Sequence, residues 1–180
     1  MTIAGGLITL NEAKASLGIP TTVTKDDSDI ERYIEAATPV IEDIVGPVLP
    51  RTITRQFAGG RSAILLPNEA AVIQSVTDSG SAVTDYTFDT HAKILYGPGV
   101  FSDGPLAVEV AYQAGFAVVP ANINLATREL VRHWWQQGRQ GNRPAFGDAG
   151  VSDVSVPSGF AVPRRVIELC EPNRRTEGFA

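Results

Sequence analysis

The sequence predicts an α+β protein: a small bundle of about four helices with an antiparallel β insertion between the second and third helices. Three observations carry this reading. Apolar residues recur at helical spacing near the start and again beyond residue 120. Between Arg51 and Ala114 the period falls to two. Glycine, proline, aspartate and serine cluster between the short apolar runs of that middle stretch. At 180 residues the chain has the length of one domain, with 1–50 and 115–180 as helical parts, 51–114 as the β-rich insertion and 139–162 as an extended loop.

The first helix is announced by "LITLNEAKASLGIP". Thr9 is placed to accept from the backbone N–H of residue 12, and Glu12 to reach back to the N–H of Thr9, which is a capping box. Gly18 and Pro20 then stop the helix after about two turns. In "DDSDIERYIEAATPVIEDIVGP" the acids of residues 26–29 suit the positive end of a helix dipole. Ile30, Tyr33, Ile34, Ala37, Val40, Ile41, Ile44 and Val45 make one apolar stripe. Pro39 falls on the opposite face, where its lost backbone bond meets water, so a bend is expected rather than a break.

The middle stretch reads as five or six short strands in an antiparallel sheet or small barrel. "RTITRQFAGGRSAILLP" suggests two strands about a Gly-Gly turn, and "AVIQSVTDSGSAV" a strand with a "DSGS" turn. "YTFDTHAKILYGPG" suggests a hairpin around "DTHA", and "LAVEVAYQAGF" alternates over a full strand length. Helical spacing returns in "VPANINLATRELVRHWWQQGR", with Pro120 at the first turn. There Ala126, Thr127, Leu130, Val131, Trp134 and Trp135 span an arc of roughly 180°, wider than the ~100° needed to lean on one layer. This helix is therefore covered from two sides. A last short helix begins at Pro163 and ends at Glu171-Pro172.

Bulk composition excludes several roles. The net charge of -5 argues against a protein that coats nucleic acid. Residues 1–127 hold 7 basic against 14 acidic side chains, and 128–180 hold 8 against 6. A lone Cys170 rules out an internal disulfide framework and fits a reducing cytosol. No signal peptide or membrane helix is evident, which leads to the expectation of a soluble intracellular product with no membrane partner.

Signals for chemistry are weak. His91 and His133 are too far apart to make a local metal pair, and Cys170 has no ligand at the right spacing. The usual nucleophile, zinc and phosphate-loop motifs do not occur. The acids of 26–43 lack the spacing of a calcium loop and read as a solvated helix face. No catalytic centre, metal or cofactor is expected. What remains is an interaction surface. Trp134 shares the central stripe with Ile123 and Leu130 and belongs to the core. Trp135, at the edge of the arc beside Val131, is covered either by the terminal helix of the same chain or by a neighbouring subunit.

The order of these parts resembles the head-tail connector, or adaptor, family of long-tailed double-stranded DNA phages. The resemblance spans about four fifths of the chain and rests on "LITLNEAK", "AATPVIEDIVG", "VPANINLATRELVRHWW" and "VPRRVIELCEPNRR". It implies a structural virion protein, assembled in the host cytoplasm and resident in the virion neck. It implies a homo-oligomeric ring, usually a dodecamer, beneath the portal protein. Such a ring extends the channel through which double-stranded DNA passes without specific binding, and it offers a docking surface to the next neck, stopper or tail protein. On this reading Trp135 and Val131 are candidates for subunit contact. Phe146, Phe160, Arg164, Arg165, Arg174 and Arg175 are candidates for portal contact, since aromatics and arginines dominate interface energies. The acidic helix 28–45 is a candidate channel lining. Two rival readings are a monomeric β-rich recognition module, for example for carbohydrate, and a small hydrolase with an unrecognised site.

Overall fold

A computed structural model of the chain describes residues 6–140 and 162–174. It is a mixed α+β fold with two antiparallel sheets inserted between the second and third helices. The described residues fall into two compact units, one built from the chain up to Ile44 together with Pro120–Arg174, the other from Val45–Val119.

The first unit holds the helices. Helix α1 (Leu10–Leu17) is capped as its sequence dictates: Glu12 N–H donates to Thr9 Oγ1, and Thr9 N–H donates to Glu12 Oε2 at 2.7 Å. Gly18 closes it in the left-handed region at φ 70°. Helix α2 (Asp27–Val45) runs on through Pro39, which is exposed, while Thr38 turns its hydroxyl onto the Ile34 carbonyl at 3.1 Å. Ile30, Ile34, Ala37 and Ile41 are fully buried, so the apolar stripe faces inward as expected. Helix α3 (Ala121–Gln140) buries Ile123, Ala126, Thr127, Leu130, Val131 and Trp134. Both α1 and the short α4 (Arg164–Cys170) pack on it, so its wide apolar arc is covered from two sides within one chain. After α4 the chain makes one 3₁₀ turn, Glu171–Asn173.

The second unit holds seven strands: β1 (Arg51–Phe57), β2 (Ala63–Leu65), β3 (Val72–Asp78), β4 (Ser81–Val83), β5 (Thr87–Asp89), β6 (Ile94–Tyr96) and β7 (Val108–Ala114). A four-stranded sheet has the order β1-β7-β3-β4, and a three-stranded sheet the order β2-β6-β5. Both share one core. Val108, Val110, Tyr112 and Ala114 of the central strand β7 pack in it with Ile64 and Leu95 of the smaller sheet. The "DSGS" hairpin forms as expected, because Ser79 and Gly80 both take positive φ (49° and 84°), the twist a two-residue connection requires. The "DTHA" turn also forms. There Asp89 Oδ1 accepts from the N–H groups of His91 (2.8 Å) and Ala92 (2.9 Å).

One expectation is corrected. The strands flanking Gly59-Gly60 do not make a hairpin; β1 pairs with β7 and β2 with β6, in different sheets. The reason is local. Gly59 N–H donates to Gly104 O at 2.9 Å and Gly60 N–H to Phe101 O at 3.0 Å, so the pair crosses another loop rather than folding back. A Cβ on Gly59 would collide with the Ser102 carbonyl.

Strand β1 is an edge, and it is guarded. Arg55 lies on the same face as the half-buried Ile53 and Phe57, and pairs at 3.1 Å with Glu69, whose side chain is 8% exposed. A charge on the inner face of an edge strand disfavours the addition of a further strand. The two ends of this unit are tied together, since Phe116 N–H donates to Val48 O at 2.9 Å.

Candidate functional site

The helical unit is fastened by two polar clusters that position its surface. Glu12 serves twice. Its Oε2 caps α1, and its Oε1 accepts from Asn124 Nδ2 (3.0 Å) and the Arg128 guanidinium (3.1 Å), which ties α1 to α3. Burial alone would raise its pKa, but the hydrogen bonds from Thr9, Asn124 and Arg128 outweigh that and hold it at about 2. Lys14 is 1% exposed and donates to Thr21 O (3.2 Å), Val23 O (2.6 Å) and Asp27 Oδ1 (2.7 Å), using every proton of its ammonium. It pins the loop between α1 and α2 to both. At the other end of α3, Asn122 Nδ2 donates to Leu169 O (2.9 Å) and Asn173 Oδ1 (2.7 Å), fixing α4.

On this frame the two indoles part company. Trp134 is buried, and Val131 is fully enclosed in the same core and reaches no surface of the protomer. Trp135 is half-buried. Within the protomer the ring that meets it comes not from the terminal helix but from α2: Tyr33 lies edge-on at 6.2 Å. Tyr33 also sits 6.5 Å from Trp134. The phenol can come so close because residue 138 is glycine; a Cβ there would stand 2.8 Å from its hydroxyl. The Arg139 guanidinium lies over the Trp135 ring, 4.5 Å from its centre, and also reaches Asp26 at 3.4 Å.

Arg164 and Arg165 of α4, and Arg174 just after the 3₁₀ turn, are exposed and partnered within the chain. Arg164 pairs with Glu168 at 3.0 Å, Arg165 with Glu129 of α3 at 3.8 Å, and Arg174 with Glu171 at 3.4 Å. Their side chains are 91%, 70% and 59% exposed, so these pairs are worth little. Phe146, Phe160 and Arg175 lie outside the described residues, as does most of the 139–162 loop.

Sequence reasoning missed Tyr33 as the cover of Trp135, although it stands on the α2 stripe, and missed the tie from Glu12 to α3. Lys14 gave no signal, because a lysine in a short polar helix reads as solvated.

For chemistry the arrangement offers little. His133 makes a 3.0 Å contact with Gln137, one turn on. Cys170 is buried, and burial pushes its thiol up, away from reactivity. Among the described residues no three His, Cys, Asp or Glu side chains gather where they would hold a metal ion, and no helix is long and apolar enough to cross a membrane.

Comparison with known proteins supplies the context for a surface of this kind. Among curated proteins none matches the sequence. Among solved structures, a chain described as "Neck of empty GTA particle computed with C6 symmetry" matches with a TM-score of 0.63 at 17% identity, covering 99% of this chain and 95% of that one. The similarity shows a shared fold across essentially the whole length of both. The family model of the head completion proteins matches residues 6–175. The chain belongs to the head completion protein family.

Proposed function

We propose that this chain is the structural adaptor of a phage head-tail junction, a virion protein of the neck with a structural rather than a catalytic role. Copies close into a ring, usually twelve in the adaptors it resembles, beneath the portal protein. The ring extends the DNA channel and gives the next neck, stopper or tail protein its landing surface. The observation that carries this reading is the family match over residues 6–175. The neck origin of the structural neighbour supports it, and a sixfold-symmetric neck accommodates rings of six or twelve.

Within that role Trp135 is the subunit-contact candidate, and Val131 supports it from inside the protomer. Arg164, Arg165 and Arg174 stand ready for the portal, joined in the proposal by Phe146, Phe160 and Arg175. A net charge of -5 suits a wall past which DNA slides without sticking.

The test is to mix the purified chain with its portal protein and follow mass by sedimentation and shape by negative-stain images. Closed rings formed on the portal are expected. A monomer indifferent to portal would overturn the adaptor reading and favour a solitary recognition module.

A further inference from the structure

Beside Trp135 runs a groove of about 760 Å3. One wall is the C-terminal end of α1 at Leu17 and Gly18; the other is α3, with Arg132, Trp135, Gln136 and Arg139. The indole gives it a partly apolar floor, and two exposed arginines flank it. Arg139 is engaged by Asp26 and the indole face. Arg132 makes no ion pair among the described residues.

The same unit carries a surface of opposite character. The outward side of α2 exposes Asp29, Arg32, Glu35, Ala36, Pro39 and Asp43. Placed at 100° intervals these lie across the helix from the buried stripe of Ile30, Ile34 and Ile41. Asp29 and Arg32 pair with each other at 3.4 Å. Glu35 and Asp43 make no ion pair among the described residues, and between them Ala36 and Pro39 form a small apolar strip.

We propose that the groove beside Trp135 receives the acidic outer face of α2 from the next copy of this chain. Glu35 and Asp43 of one protomer then meet the free Arg132 of its neighbour, and Ala36 and Pro39 lie against the indole edge. Two different, complementary patches on one chain make a head-to-tail contact, which repeats until a ring closes. Opposite charge steers the approach and fixes the register, while the indole supplies the desolvated centre. The proposal rests on the ring-forming adaptor reading and names the contact that makes the ring. It assigns the acidic face of α2 to the neighbouring copy rather than to the channel.

The test is a charge exchange in the full chain, assembled with portal and followed by sedimentation, with melting curves to confirm that each variant folds. Arg132→Glu sets acid against acid, and Glu35→Arg with Asp43→Arg sets base against base. Each variant alone is expected to weaken ring formation by about tenfold or more. An equimolar mixture of the two restores complementary contacts in alternation, and the three substitutions combined in one chain restore them in every copy. Rescue in both settings supports the pairing. Folded variants that all form rings like the unaltered chain, or losses without rescue, overturn it while leaving the adaptor reading in place. Loss of portal binding by Arg132→Glu alone, with α2 variants unaffected, assigns the groove to an acidic segment of the portal and also overturns it. If the unaltered chain forms no ring on portal, the adaptor reading itself fails.

Discussion

Tyr33 stands edge-on to Trp135 with the ring centres 6.2 Å apart and the planes at 85°. That single phenol, contacted also by Trp134, explains how two adjacent indoles on one helix both find company. Rings in this geometry gain about 0.5–1.5 kcal/mol beyond the area they bury. Tyr33→Ala removes the partner of both and is expected to destabilise the helical unit by about 2–3 kcal/mol. Trp135→Ala leaves the Tyr33–Trp134 contact and is expected to cost about 1 kcal/mol, a fall in Tm of about 2–4 °C, while ring formation on portal suffers far more. Thermal melts of both variants, set beside sedimentation with portal, check the split; a Trp135→Ala protein that melts many degrees lower yet assembles normally would place the residue in the subunit core.

Glu12 predicts an acid-sensitive junction between α1 and α3. Its carboxyl is held at about 2, below its ordinary value of 4.5, so folding favours the ionised form. The stabilisation is complete above the unfolded value and is lost as pH falls from about 4.5 through about 2. Discounted for a side chain one third exposed, it amounts to about 1–2 kcal/mol. Glu12→Gln is expected to lower stability by that amount at pH 7 and to flatten the loss below pH ~4.5. Urea titrations of both proteins at several pH values between about 2 and 7 measure it; parallel curves would show that Glu12 does not titrate with folding.

Gly59 is where the β unit is least tolerant. With the Ser102 carbonyl against its α-carbon, even a methyl group forces the crossing loops apart. Gly59→Ala is expected to cost about 2–4 kcal/mol and to loosen β1, β2 and the 101–104 loop together. Hydrogen exchange resolves the effect. Protection in β1 and β7 should fall while that of α3 holds, and unchanged protection throughout would contradict the close approach.

Much of this architecture was legible because the signals were local. The capping box at Thr9 and Glu12, the stop at Gly18, the stripe on α2 and the alternation along β7 each depend on residues within one element. What did not show was partner choice. Nothing near "AGG" says that β1 will pair with β7, more than fifty residues on, rather than with the strand that follows it. Lys14 looks solvated until the carbonyls of Thr21 and Val23 arrive to surround it. Of the interaction surface, the oversized apolar arc of α3 was visible, as was the place of Trp134 in the core and of Trp135 at the edge, but what lies against that edge was not. Val131 turned inward, and Trp135 found Tyr33, which lies on a helix just over a hundred residues earlier and gives no local sign of the contact.

The hydrogen bond from Phe116 to Val48 sets the entry and the exit of the β unit side by side. The backbone leaves the helices and comes back to them through a doorway one amide wide. A short turn in place of residues 49–115 therefore bridges the gap, and foreign modules whose own termini lie side by side fit the same socket. Changes of size and shape within residues 49–115 can therefore leave the two points where the chain enters and leaves this unit side by side.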